Sequence, residues 1–197
     1  MKLKLFVISV AAILVGTAAT GQTVAIKTNL LYDATATVNA GLELGMAPQW
    51  TIDLNGNYNG WSTGGIKKWE HILVNPEVRY WFCERFAGHF LGLHAIGQQF
   101  NFGGIDFGAN ILGTDFSLLK DNLYKGWGLG AGLGYGYDFV LGKHWNLELE
   151  AGLGYVYTRY NSYLHECKEC AHKISEVEDS HNYFGPTKAA VNIVYLF

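Results

Sequence analysis

Along most of this chain apolar and polar residues alternate with a period of two, the pattern of strands with one greasy face and one polar face. Over residues 50–59, Ile52, Leu54, Gly56 and Tyr58 alternate with Thr51, Asp53, Asn55 and Asn57. Over 126–140, Trp127, Leu129, Ala131, Leu133, Tyr135, Tyr137 and Phe139 share one face. Gly126, Gly128, Gly130, Gly132, Gly134, Gly136 and Asp138 share the other. Over 145–160, Leu147, Leu149, Ala151, Leu153, Tyr155 and Tyr157 oppose Asn146, Glu148, Glu150, Gly152 and Gly154. At the end of the chain, Val191, Ile193, Tyr195 and Phe197 oppose Ala190, Asn192, Val194 and Leu196. Eight strands are predicted, at about 24–32, 38–46, 50–59, 69–82, 88–100, 126–140, 145–160 and 183–197. In the fourth, Ile72, Val74, Val78, Tyr80 and Phe82 form the apolar face, and Pro76, which has no ladder donor, predicts a bulge.

The connections have their own rhythm. Those after the second, fourth and sixth strands hold about 3 to 4 residues, and those after the first, third, fifth and seventh roughly 5, 9, 25 and 22. Short and long ends thus alternate, as in an up-and-down barrel, and an even strand count brings both termini to the short-turn end.

Period two does not say which face is outside. A soluble barrel hides its apolar face, and a membrane barrel turns it to lipid. The glycine row at 126–136 would weaken a strand facing water for no gain, whereas in a narrow lumen it makes room for large neighbours. All six tryptophans fall near strand ends: Trp50, Trp81 and Trp145 at the short-turn end, Trp61, Trp69 and Trp127 at the long-connection end. Two such belts fit the two interfaces of a bilayer. The expected fold is therefore all-β, an eight-stranded antiparallel up-and-down transmembrane β-barrel.

Composition supports this. Charged residues are 16%, below the ~25% of ordinary domains, while aromatics reach 15% and glycines number 25. A net charge of −3 argues against a nucleic-acid partner. No apolar stretch is long enough for a transmembrane helix. At the start, Lys2 and Lys4 precede an apolar run at 5–15, and Ala19 and Gly21 stand at −3 and −1 of a cleavage before Gln22. Residues 1–21 read as a secretory signal peptide and 22–197 as one barrel domain.

With the apolar face outward, the lumen receives Lys27, Glu43, Asp53, Glu77, Arg79, Asp138, Glu148, Glu150 and Lys188. Six acids and three bases in so narrow a space predict a hydrogen-bonded ion network that packs the interior rather than conducting through it. Glu148 and Glu150 point inward on one strand with no evident cleft, so catalysis is not expected of them.

Chemical character concentrates in the last long connection, where Cys167 and Cys170 are flanked by His165 and His172. An exported loop favours a Cys167–Cys170 disulfide; two thiolates and two imidazoles also match a tetrahedral zinc site, and unlinked thiols are the third reading. Cys83 belongs to a turn at the opposite end and cannot pair with either. Ser162, His165, Ser180 and His181 form no recognisable catalytic motif, and the Gly-x-Gly spacing precedes no helix, so it is no phosphate loop. No catalytic residue, cofactor or metal is assigned.

The terminal aromatic row ending on Phe197 resembles the closing strand of bacterial outer-membrane barrels, similar in shape to OmpA and OmpX. The resemblance implies that Tyr195 and Phe197 carry the signal read by the barrel insertion machinery, that lipid of the outer membrane surrounds the barrel, and that both termini are periplasmic. The stretches Lys27-Thr28-Asn29-Leu30-Leu31-Tyr32, Val78-Arg79-Tyr80-Trp81-Phe82 and Tyr183-Phe184-Gly185-Pro186-Thr187-Lys188 resemble a family of small outer-membrane proteins of unknown function from anaerobic gut bacteria. Genes of that family often lie near fimbrial ones. The implied function is a non-enzymatic surface barrel whose loops bind a fimbrial or host surface protein; the alternative is an outer-membrane enzyme, metal-binding or redox protein acting through the last loop.

Overall fold

The computed structural model describes residues 22–62, 68–104, 110–111, 114–115, 122–164 and 177–197. The predicted leader at 1–21 and the predicted disulfide pair Cys167 and Cys170, with the flanking His165 and His172, lie outside these residues.

The main strands are β1 (Val24–Asn29), β2 (Val38–Ala47), β3 (Trp50–Ser62), β4 (Lys68–Trp81), β5 (Gly88–Gly103), β8 (Asn122–Val140), β9 (Trp145–Leu164) and β10 (Val177–Leu196). A two-residue pair, β6 (Asn110–Ile111) and β7 (Thr114–Asp115), lies between β5 and β8, and one short helix, α1 (Leu30–Ala34), follows β1. Every main strand is antiparallel to its neighbours in the order β1-β10-β9-β8-β5-β4-β3-β2, and the ring closes between β1 and β10. Ala25 stands opposite Leu196 there, and the Phe197 amide donates to the Val24 carbonyl, so the two ends of the barrel chain meet.

Several predicted boundaries are corrected. The first strand stops at Asn29, because the Asn29 side chain accepts from the Leu31 amide and caps α1. Leu30, Leu31 and Tyr32 are helical rather than extended. The last strand begins at Val177, not Tyr183, and β8 and β9 also run past their apolar stretches. Ladder hydrogen bonds continue for as long as a neighbouring strand supplies partners, whether or not the side chains still alternate. The connection after β3 therefore shrinks to 63–67, whereas that after β4 occupies 82–87, and the strict short–long rhythm fails at this pair.

Pro76 makes no bulge. Asn75, Pro76 and Glu77 pair in unbroken register with Asn55, Leu54 and Asp53. Toward β5 the ladder omits Asn75 and Pro76 but keeps its offset from Val74–Gly97 to Glu77–His94. The missing donor thus weakens one ladder locally without inserting a residue. The register shifts lie instead between Pro186 and Lys188 in β10 and between Gly45 and Ala47 in β2.

The faces divide as the pattern predicts. Leu93, Leu129, Leu133 and Leu153 are 58–67% exposed on the outside. Glu43, Asp53, Arg79 and Glu148 are 0% exposed within. The tryptophan belts are the exception. Trp81 is fully buried in the lumen, and its Nε1 donates to Thr51 Oγ1. Trp69 also points inward, alongside Phe102. Trp61 stands at the rim and donates to the Ala36 carbonyl. Trp50, Trp127 and Trp145 remain on the outward face. Tryptophan fills an internal plug as readily as an interface, so position near a strand end did not discriminate.

Candidate functional site

Two layers fill the lower lumen, and a cavity lies above them. At the short-turn end Ala25, Trp81, Phe86, Phe90, Val194 and Leu196 form an apolar plug. Phe86 adopts φ +62° in the β4–β5 connection, and its ring lies 6.0 Å from that of Trp81. The Asn146 amide holds this corner by donating to the Phe86 carbonyl at 2.8 Å.

Above the plug lies the ion layer, and Arg79 is its centre. Its guanidinium lies 2.9 Å from Glu43, 3.2 Å from Asp53, 2.9 Å from Glu77 and 2.7 Å from both Glu148 and Glu150. It also sits 4.4 Å above the Phe90 ring. Lys27 reaches Glu43 at 2.5 Å, Glu148 at 3.1 Å and Asp53 at 3.6 Å. Lys188 pairs with Glu77 and, at 3.0 Å, with Glu150. Neutral groups take up remaining acceptors: Thr51 donates to Glu43, Asn55 to Asp53 and Asn192 to Glu148. The structure thus brings eight of the nine residues singled out in the sequence into one cluster. The ninth, Asp138, lies toward the plug and accepts from Asn146 Nδ2 at 3.1 Å. A buried charge without a partner is costly, so this mutual pairing is what allows eight ionisable groups to share one layer of the interior.

The glycine row gives the cluster room. A Cβ on Gly136 would sit 2.3 Å from the Phe90 ring, one on Gly132 2.7 Å from the His94 ring, and one on Gly134 2.6 Å from Glu150. His94 was not singled out by the sequence reading, yet it is 1% exposed and nests against Gly132, Gly134 and Gly152. Its Nε2 lies 3.0 Å from Thr187 Oγ1. The alternation of Phe90, Gly92, His94 and Ile96 against Leu91, Leu93 and Ala95 was the available signal for it.

Above the ion layer the lumen opens into a cavity of about 370 Å3 beneath α1. Its wall includes Tyr32 of α1, Asn57 of β3, Trp69, His71 and Asn75 of β4, and Lys188 of β10. Trp69 Nε1, His71 Nδ1 and Asn75 Oδ1 are buried without a hydrogen-bond partner. Burial also raises the Tyr32 phenol above its ordinary pKa, so it remains a neutral donor. Among the described residues no group of three or more His, Cys, Asp or Glu has the geometry to hold a metal ion.

At the closing seam Tyr195 lies 4.9 Å from Trp145 and 5.0 Å from Phe197, ring centre to ring centre, on the outward face. His144 Nδ1 donates to the Leu196 carbonyl at 2.8 Å and ties the β8–β9 turn to this seam. Cys83 is exposed in the connection after β4.

No curated protein and no solved structure matches the chain. A family model described as "Protein of unknown function (DUF3575)" matches residues 5–197, nearly the whole sequence, and the chain belongs to that family.

Proposed function

We propose that this chain is an outer-membrane protein whose barrel spans the bilayer and presents its long-connection end to a fimbrial or host surface protein, without catalysing a reaction. One observation carries the reading: an apolar surface runs around the outside of a closed barrel whose interior is ionic. Water would reward the opposite arrangement, and lipid rewards this one. Closure also satisfies every strand with a partner, which hydrocarbon demands.

The rest of the reading follows from what the lumen and the rim offer. The plug and the ion layer pack the lower lumen with buried side chains, which favours a filled interior over a conducting one. The strands β8, β9 and β10 hold 19, 20 and 20 residues, against the ~9–11 that cross a bilayer. Their upper halves then stand clear of the membrane as a wall on one side of the rim, a surface for a protein partner. The resemblance to a family encoded near fimbrial genes supplies the partner class.

Membrane insertion is tested on a detergent gel. The folded barrel is expected to migrate faster unboiled than boiled and to fractionate with the outer membrane. Identical migration together with recovery in the soluble periplasm would overturn the proposal. Crosslinking on intact cells tests the partner: a surface or fimbrial protein is expected, and recovery of nothing beyond the insertion machinery refutes it.

A further inference from the structure

The cavity beneath α1 carries more hydrogen-bonding capacity than the protein uses. Besides Trp69 Nε1, His71 Nδ1 and Asn75 Oδ1, the Asn57 amide and the Tyr32 hydroxyl have no hydrogen-bond partner among the described residues. Buried polar groups are nearly always paired, with protein, water or a ligand. Three buried unpaired groups, with the Asn57 amide and the Tyr32 hydroxyl on the same wall, around one space within the size range of ligand pockets mark a place shaped for donors and acceptors from outside the chain.

Charge narrows the occupant. Lys188 is the only ionic side chain among the described lining residues, and Glu77 and Glu150 already answer it. Among the described residues no carboxylate lines the cavity, so a cation finds no ligand in the described wall. With Lys188 paired to Glu77 and Glu150, the described wall offers an anion no uncommitted cation. What fits is neutral. The free groups are amide, imidazole, indole and phenol, which between them both donate and accept, as a sugar hydroxyl does. Three rings stand at the wall, His71 6.5 Å from Tyr32 and 6.1 Å from Trp69 and inclined to them by 44° and 89°, so a sugar's C–H face can stack on one ring while the edges of the others border it. The volume equals about a dozen waters at ~30 Å3 each, the size of one sugar ring with its hydroxyls.

The geometry points to a binding site for a single neutral pyranose, free or as the terminal residue of a glycan, held between α1 and the β3–β4 wall. This inference goes beyond the membrane and partner proposal and is read out separately from it.

The test uses the full chain folded in detergent micelles, with the unboiled band shift certifying the fold of each variant. The probes are glucose, galactose, mannose and N-acetylglucosamine, glucuronate as the charged counterpart, and oligosaccharides ending in the same neutral residues. Calorimetric titration is expected to show saturable binding of at least one neutral probe. Tyr32→Phe and Asn57→Leu should each weaken it about tenfold, the loss of one well-made hydrogen bond. Leu133→Ala, on the outer face, should leave it unchanged. Binding of the free sugar assigns a monosaccharide; binding only of the oligosaccharide assigns a glycan end. Absence of saturable binding to the folded wild type means a water-filled lumen and overturns the inference. So does glucuronate binding as tightly as the neutral sugars, or wild-type affinity in both cavity variants.

Discussion

The clearest mechanical consequence of the glycine row is that one chemical change should have opposite signs on the two faces of the barrel. A methyl added at Gly136 would lie 2.3 and 2.6 Å from two carbons of the Phe90 ring and 2.8 Å from the Leu149 carbonyl. Carbon atoms prefer ~3.5–4.0 Å, so the ring would have to retreat by more than ~1 Å. It has nowhere to go: Phe90 is fully buried, with Trp81 4.7 Å away on one side and the Arg79 guanidinium above its face. Overpacking of this kind costs ~1–3 kcal/mol. A methyl added at Gly56 meets nothing within 4 Å on the outer face, and Ala there restricts the unfolded chain, a gain of ~0.4–1 kcal/mol. Gly136→Ala and Gly56→Ala should therefore differ by about 1.5–4 kcal/mol. Urea unfolding in lipid vesicles should separate their midpoints by on the order of 1 M, given slopes of ~1–3 kcal/mol/M. Adding Phe90→Leu should restore part of the loss only in the Gly136→Ala background, a coupling of ~0.5–3 kcal/mol. Coincident midpoints, or a more stable Gly136→Ala, would mean that the glycine row does not face a filled lumen.

Arg79→Met should destabilise the barrel by ~3–5 kcal/mol, because five carboxylates lose their common cation while remaining buried; a shift under ~1 kcal/mol in the same urea assay would refute a central role. Deletion of Phe197 should lower the amount of protein in the outer membrane, since it removes the terminal ring of the closing seam; unchanged abundance would show that insertion does not read this residue. In a chain carrying Cys167→Ser and Cys170→Ser, a membrane-impermeant maleimide should label Cys83 only after permeabilisation, because the connection after β4 lies at the short-turn end; labelling of intact cells would invert the proposed orientation.

The sequence by itself determined the number of strands, their antiparallel order and which face of each points inward. Alternation is a local property: the pleat sends successive side chains to opposite faces, so Gly136, Asp138, Glu148 and Arg79 declare their side without any knowledge of their neighbours. It also placed the nine ionisable residues in the lumen. Only the tertiary structure decided how they meet. Arg79 sits at the centre because β4 lies across the ring from β9 and β10, a relation set by closure and stagger. His94 reaches Thr187 and the space above Gly132 for the same reason. Trp69 and Trp81 share the parity of Glu77 and Arg79 and so were legible as inward; the weight given to strand ends hid them. The cavity was not legible at all. Asn57, Trp69 and Tyr32 come from three separate elements, and the last faces inward only because Asn29 stops the first strand and turns the chain into α1 over the barrel mouth. Period fixes the direction of a side chain along its own strand; what stands opposite depends on how the sheet closes, which no single strand encodes.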